Sequence, residues 1–491
     1  MKTDDVGELS LFRHHLRDLI ARPPVTCRPD VSAVEVARRF SRESVGSVVV
    51  VDDAGAPVGI VTDQDLRARV VAEGRDAAAT PASAIMSVPL VTLPPDAYAF
   101  EAVLEMTRRR ISHVVVRDGG RLLGVVSSRD FLGLQTAHPV TLARDIERAG
   151  SVEGLAALAS RVMQLVRRLL DEGGTAYDVG QIVAELNDRL AVRALTLAAA
   201  ALDEIGQAAP STPYCWLSFG SEARREQTLR TDQDNGLVYA DPEPHEAATT
   251  AAYYARFAEV AVASLVAVGF PPCPGHAMAS NPKWCQPLSV WARYFRRWID
   301  HPSPEEVLAA CIYFDLRPLA GAVDLAAPLE QIVRREAPES RAFLRLLAHD
   351  VVTKRVPRTL FGNVAVDRRG AGRGTVDVKA AGAMQLTGAA RVAALELGLS
   401  QTNTIDRFRA AAERGLYSPA EAREITDACQ HLMRLRLVHQ LERLAAGAPP
   451  DNRVDPARLS RADALLFRDA LATVERVQSG LRARFATDGL G

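Results

Sequence analysis

Lysine is almost missing from this chain of 491 residues: it stands only at positions 2, 283, 354 and 379, and arginine carries nearly all the positive charge. Aromatic residues make up only 5% of the chain while alanine is plentiful, a balance that favours helix-rich packing. The six cysteines, at 27, 215, 273, 285, 311 and 429, form no Cys-x-x-Cys pair. Reduced, buried thiols are expected rather than a disulfide framework. An excess of one charge is lacking too: 59 basic against 60 acidic residues leave a net charge of −1. That balance supplies no broad polyanion-binding field and argues against nucleic acid as the main partner. No stretch reads as the ~20 apolar residues of a membrane span; the run Ala191–Leu202 is cut by Arg193. The charged first 20 residues read as an amphipathic helix rather than a signal peptide. The expectation is a cytoplasmic protein with no membrane partner, long enough for about two to four domains.

What is present begins with an internal repeat. One copy reads SVGSVVVVDDAGAPVGIVTDQDL (44–66) and the other RISHVVVRDGGRLLGVVSSRDFL (110–132). Each has a β-branched apolar run, a tight Asp/Gly turn and a second apolar run, the pattern of two strands joined by a turn. Helical periods precede both (Val34, Val36, Ala37, Phe40; Ala102, Val103, Met106), and polar-capped helices are expected to follow from Asp63 and Ser128. The unit is therefore helix–strand–strand–helix, twice. Each copy closes on glycine, two apolar residues, a hydroxyl and an aspartate: Gly59-Ile60-Val61-Thr62 with Asp65, and Gly124-Val125-Val126-Ser127 with Asp130.

This repeat resembles a tandem pair of CBS domains over about residues 23–135. The resemblance implies that Thr62, Asp65, Ser127 and Asp130 hold the phosphate and ribose of an adenosine nucleotide, and by analogy that the chain forms a homodimer. Elementary chemistry agrees, since a hydroxyl beside free backbone N–H groups suits an anion and a carboxylate can accept from a sugar diol. The bland alternative is that both hydroxyls are simply helix N-caps.

Residues 136–208 read as a helical connector, with apolar stripes at Leu155, Leu158, Val162, Leu165, Val166 and Leu169, and at Ile182, Leu186, Leu190 and Leu195, separated by Gly173-Gly174. After the Pro-rich segment Ala209–Pro213 comes an apolar strand, Tyr214–Phe219, running into Gly220-Ser221. A helix carrying Glu222, Arg224, Arg225 and Glu226 is expected next, then a strand from Thr231 to Tyr239. On such a strand Asp232 and Asp234 leave the same face and can grip divalent metal between them. Glycine at the strand-to-helix turn allows close backbone approach, the helix N-terminus offers N–H groups to a triphosphate, and Arg224 neutralises phosphate charge. Taken alone, the Asp pair beside Asn235-Gly236 reads as a turn.

The ordered string resembles the DNA polymerase β-like nucleotidyltransferase superfamily, and in its fuller form bacterial signalling proteins related to PII uridylyltransferase and glutamine-synthetase adenylyltransferase. Ala223 stands where those relatives have glycine, while Arg224 and Glu226 are kept. The resemblance implies catalytic and metal-binding roles for Asp232, Asp234 and a third carboxylate, Asp315, around two Mg²⁺. It also implies nucleotide-binding roles for Gly220, Ser221, Arg224, Glu226 and Thr231, with ATP or UTP as substrate. The runs Val376-Asp377-Val378-Lys379 and Arg434-Leu435-Arg436-Leu437-Val438-His439-Gln440, with Arg391, resemble the family's helical partner domain; the resemblance makes Lys379 and Arg391 candidates for holding phosphate or an acidic protein acceptor, with salt bridges to Asp377 and exposed helix charges as the plainer reading.

The expected architecture is multidomain, α/β and α. It comprises an N-terminal helix (1–22), tandem CBS domains (23–135), a helical connector (136–208), a polymerase β-like α/β domain (209–325) and a helical substrate-binding domain (326–491). The expected function is CBS-regulated transfer of a nucleoside monophosphate to a hydroxyl on a protein acceptor. The alternative is a non-catalytic adenine-nucleotide sensor acting through protein contacts.

Overall fold

The computed structural model describes residues 11–12, 14–20, 22–131, 139–227, 229, 232–303, 306, 311–359, 362–369 and 372–487. Contacts divide the chain into two compact units: Met1–Arg144 with Asp171–Gly173, and Asp145–Leu170 with Gly174–Gly491.

The first unit contains the repeat. Strands β1 (Thr26–Cys27), β2 (Ser47–Val51) and β3 (Pro57–Thr62) form one sheet in that order, with β1 parallel and β3 antiparallel to β2. Strands β4 (Thr92–Leu93), β5 (His113–Asp118) and β6 (Arg121–Ser127) repeat it. The β-branched runs fill the centre: Val48, Val49, Val50, Val114 and Val116 are fully buried. The helices Ala33–Glu43 and Ala99–Arg109 each end on a left-handed residue, Ser44 and Arg110, which turns the chain into the next strand. The helix expected after Ser127 lies largely in 132–138, outside the described residues; Ser128–Phe131 forms a turn. Of the expected N-terminal helix, Leu16–Leu19 is helical, and residues 1–10 lie outside the description.

In the second unit the connector stripes become the buried faces of two helices, Val152–Asp171 and Ala176–Glu204. The four-stranded sheet of this unit has the order β10-β7-β8-β9, from β7 (Tyr214–Phe219), β8 (Asn235–Tyr239), β9 (Cys285–Pro287) and β10 (Leu316–Gly321). β7 runs antiparallel to both β8 and β10, and β9 lies parallel to β8. The scarce large aromatics concentrate here. All four tryptophans, Trp216, Trp284, Trp291 and Trp298, belong to this region and are buried. Tyr313 stacks 4.1 Å from Trp284 and 5.4 Å from Trp298, and Phe219 joins the cluster through Tyr313 and Trp291.

One sequence reading is corrected. The helix Ala247–Val268, with mean hydropathy 1.4, is long and apolar enough to cross a membrane by length and composition, the one such helix among the described residues. Its apolar character comes from alanine and valine rather than a leucine run, so it did not stand out in the sequence. It lays Phe257 against Tyr214 and Trp216 of β7 and buries Ala258, Ala261 and Leu265.

From Ala327 onward the described residues are mostly helical. Arg341–Thr353, Met384–Glu396, Thr404–Glu413, Pro419–Ala445 and Arg461–Phe485 pack together beside a short ribbon of β11 (Val376–Asp377) and β12 (Arg453–Val454). Just after β11, Lys379–Ala383 forms a π-helical turn, a geometry often found at functional sites.

Candidate active site

The end of β7 is fastened to the segment entering β8, where the Phe219 N–H donates to the Asp234 carbonyl at 2.9 Å. Gly220 follows with φ +55°, and a Cβ there would stand 2.8 Å from an Asp234 carboxylate oxygen. Glycine is therefore required twice, for the left-handed backbone and for the approach of Asp234. The expected helix after it is corrected: Gly220–Ala223 is a single four-residue turn, too short to present a helix dipole to a triphosphate. Arg225 reverses the chain at φ +57°, and neighbouring arginines diverge. Arg224 ion-pairs with Asp315 and Glu226, whereas Arg225 lies 3.5 Å from Glu185 and 3.6 Å from Asp188 on the helix Ala176–Glu204. The Ser221 carbonyl accepts from the Glu226 N–H, closing the loop. Thr231 lies outside the described residues.

Asp232 and Asp234 sit in the extended lead-in to β8, beside a bridge between Gln233 and Pro272. Gln233 and Asn235 are buried and hydrogen-bond to each other at 3.0 Å, while Asp232 is exposed and Asp234 half-buried. The alternation puts both carboxylates on one face. Burial raises the pKa of Asp234; the Cys273 thiol donates to it and lowers it again, and Asp232 raises it further. Two carboxylates on one face make a hard, all-oxygen donor pair of the kind that suits Mg²⁺.

Asp315 does not join them. Among the described residues no three carboxylate, His or Cys side chains come together to hold a metal ion. Asp315, fully buried ahead of β10, is clamped by Arg224 at 2.6 Å and by Arg391 and Arg407 at 2.7 Å each. Burial alone would raise its pKa, but the three guanidinium groups, Arg391 foremost, hold it far below the ordinary carboxylate range. Asp315, expected as the third metal ligand, stands in this structure as an ion-paired anchor. β9, the neighbour of β8, carries Cys285, Gln286 and Pro287 and no carboxylate. Arg391, expected as an acceptor contact, is committed to this anchor as well.

The C-terminal helices close on the glycine turn by backbone recognition. Thr402 donates to the Ala223 carbonyl at 3.1 Å, Asn403 to the Arg224 carbonyl at 3.0 Å, and the Thr404 N–H to Glu226 at 2.5 Å. Glu226 thus joins two domains rather than standing open for nucleotide. Lys379 keeps a solvent-reaching side chain in a crowded place. Burial and Arg436 lower its pKa, Arg224 adds to that, and Asp232 and Asp234 raise it, so the ammonium lies within electrostatic range of the carboxylate pair. Sequence reasoning missed Arg407 and gave Arg436 no role of its own; the signal available was an arginine set between buried apolar neighbours, as in Leu435-Arg436-Leu437.

In the first unit, Thr62 donates to Asp65 at 2.6 Å, and Asp65 also accepts from Ser87 at 3.0 Å with Arg69 at 3.5 Å. Ser127 donates to Asp130 at 2.9 Å, and this exposed pair opens on a cavity of about 380 Å³ lined also by Arg22, His113 and Arg129.

Known proteins carry the same parts. Residues 16–72 and 82–136 match the CBS domain, residues 160–305 the family described as "Putative nucleotidyltransferase DUF294", and residues 341–485 the "Putative nucleotidyltransferase substrate binding domain". An uncharacterized protein of Methanopyrus kandleri is 32% identical over 149 residues, 30% of this chain and 71% of its own length. The inosine-5'-monophosphate dehydrogenase of Mycobacterium tuberculosis is 32% identical over 221 residues, 41% of this chain and 40% of the dehydrogenase. The chain thus spans well under two thirds of that enzyme. Among solved structures, a CBS domain protein from Pyrobaculum aerophilum complexed with AMP is 32% identical, covering 24% of this chain and 91% of that one with TM-score 0.23. A CBS-domain protein from Agrobacterium tumefaciens is 30% identical, covering 29% and 99% with TM-score 0.23.

Fold and matches together define a multidomain nucleotidyltransferase-type chain with a CBS pair. It belongs to the proteins that join a CBS domain pair to the DUF294 nucleotidyltransferase domain and its substrate-binding partner domain.

Proposed function

We propose that this chain transfers a nucleoside monophosphate from ATP or UTP to a hydroxyl on a protein acceptor, in the manner of PII uridylyltransferase. The observation that carries the reading is the packing of the Asp234 carboxylate against the bare backbone of Gly220, with Asp232 beside it on the same face. Asp232 and Asp234 would hold Mg²⁺, which supplies charge neutralisation and alignment of the triphosphate. Gly220 and Ser221 leave backbone space beside the pair. Asp315 holds Arg224, Arg391 and Arg407 in the contact between β10 and the C-terminal helices, so the scaffold beside the carboxylate pair is fixed before substrate arrives.

The CBS pair takes an adenosine nucleotide in this reading, with Ser127 and Asp130 at the open cavity and Thr62 and Asp65 at the second, more closed position. Its occupancy adjusts the transfer rate. The chain acts in the cytoplasm, as a homodimer, by the same reading.

Incubation with labelled ATP and UTP in cell extract with Mg²⁺ tests this. A labelled protein band is expected with one of the two nucleotides; label on neither overturns the transfer reading and leaves the nucleotide-sensor alternative.

A further inference from the structure

Arginines around the active site fall into two groups. Arg224, Arg391 and Arg407 share Asp315, and Arg317 grips Asp188 with two bonds of 2.9 and 2.7 Å. Arg436 and Lys379 differ: among the described residues neither makes an ion pair. The carboxylates in range of Arg436 are Asp377 and Glu226, and both are engaged. Asp377 accepts from the Ala380 N–H at 3.0 Å, and Glu226 from Arg224 and Thr404.

Both cations are nonetheless held in place by one residue. Asn452 accepts the Val378 N–H on its backbone carbonyl at 2.9 Å, which fixes the start of the π-helical turn bearing Lys379. Its side-chain oxygen accepts from Arg436 Nε at 3.1 Å and from Gln440 at 3.1 Å. With Nε so held, the two terminal amines of Arg436 remain as a planar fork suited to phosphate oxygens. A crowded cation with no counter-charge costs free energy that a bound anion would return. Burial, with Arg224 adding to it, pulls the Arg436 pKa down to about 10, in keeping with that crowding.

We propose that Lys379 and Arg436, set by Asn452, form an anion subsite that takes the terminal phosphates of a nucleoside triphosphate. The identity of the ligand rests on the transferase reading; the anion subsite itself does not. Neither cation is consumed by the domain contact that occupies the other arginines, so the C-terminal helices contribute to substrate binding through these two groups.

The test uses the full chain and inorganic tripolyphosphate without metal, followed by calorimetry, for wild type, Arg436→Gln, Arg436→Lys and Lys379→Gln. Each Gln variant is expected to weaken tripolyphosphate binding by about tenfold or more, with Arg436→Lys intermediate because an ammonium cannot fork. In transfer assays the KM for nucleotide rises more than kcat falls. Lys379→Gln changes a solvent-reaching side chain, so it keeps the test open if an Arg436 variant fails to fold. Wild-type binding in both Gln variants overturns the subsite, and transfer unchanged in them leaves the transferase reading standing. Loss of binding in the variants, with a wild type that transfers nothing, supports the subsite and sinks the transferase reading.

Discussion

The Asp315 carboxylate lies 2.7 Å from the Arg391 guanidinium, joining the start of β10 to a C-terminal helix through fully buried charge. Arg224 and Arg407 complete the clamp. Removing one partner of such a cluster leaves uncompensated buried charge. Asp315→Asn is expected to lower unfolding stability by about 3–5 kcal/mol in urea titrations. Asp232→Asn, at an exposed position, should shift it by no more than about 0.5 kcal/mol. Equal stability of the two variants would mean that Asp315 is not the anchor described.

Gly220→Ala places a methyl group 2.8 Å from the Asp234 carboxylate on a backbone at φ +55°. A cost of about 1–3 kcal/mol is expected, together with loss of transfer because Asp234 must move. Stability and turnover measured on one preparation check both effects. A variant with wild-type values for both would show that the close approach does not matter.

Glu222 supplies a pH dependence. Burial, assisted by Asp188, raises its pKa from the ordinary 4.5 to about 7 against the Ser218 hydroxyl bond and Arg317. The folded protein therefore holds this proton more tightly than the unfolded chain. Its contribution to stability is fully present below 4.5 and is lost as pH rises through about 7. Urea midpoints recorded on either side of neutrality should fall with rising pH in the wild type and less steeply in Glu222→Gln. Parallel slopes would remove Glu222 from the account.

In the CBS pair, Asp130→Ala should abolish most adenosine-nucleotide binding by calorimetry, because Asp130 and Ser127 line the open cavity. Asp65→Ala should weaken it less, since Asp65 already accepts from Thr62 and Ser87. The reverse order would reassign the principal ligand position.

Much of this was legible in the sequence because it is local. The paired strands of the repeat, the run into Gly220 and the alternation around Asp232 and Asp234 are set by neighbours within a few residues, and periodicity reports them directly. The limits of the turn were less visible, since Arg225 reverses the backbone through ion pairs to Glu185 and Asp188, about forty residues earlier. Asp315 was visible as a carboxylate between the apolar residues Phe314 and Leu316 but not in its role as an anchor. Its partners Arg391 and Arg407 lie on helices that approach only in the folded chain, and no spacing rule links them. The same holds for Arg436, whose meaning depends on Asn452 and on the absence of an ion pair among the described residues.

The central claim is tested most directly by transfer of labelled nucleotide to extract protein, comparing wild type with the double variant Asp232→Asn, Asp234→Asn. The account predicts a Mg²⁺-dependent labelled band with the wild type and none with the double variant, while adenosine nucleotide still binds the CBS pair of both. A band that persists in the double variant, or no band from a folded wild type with either ATP or UTP, would contradict it.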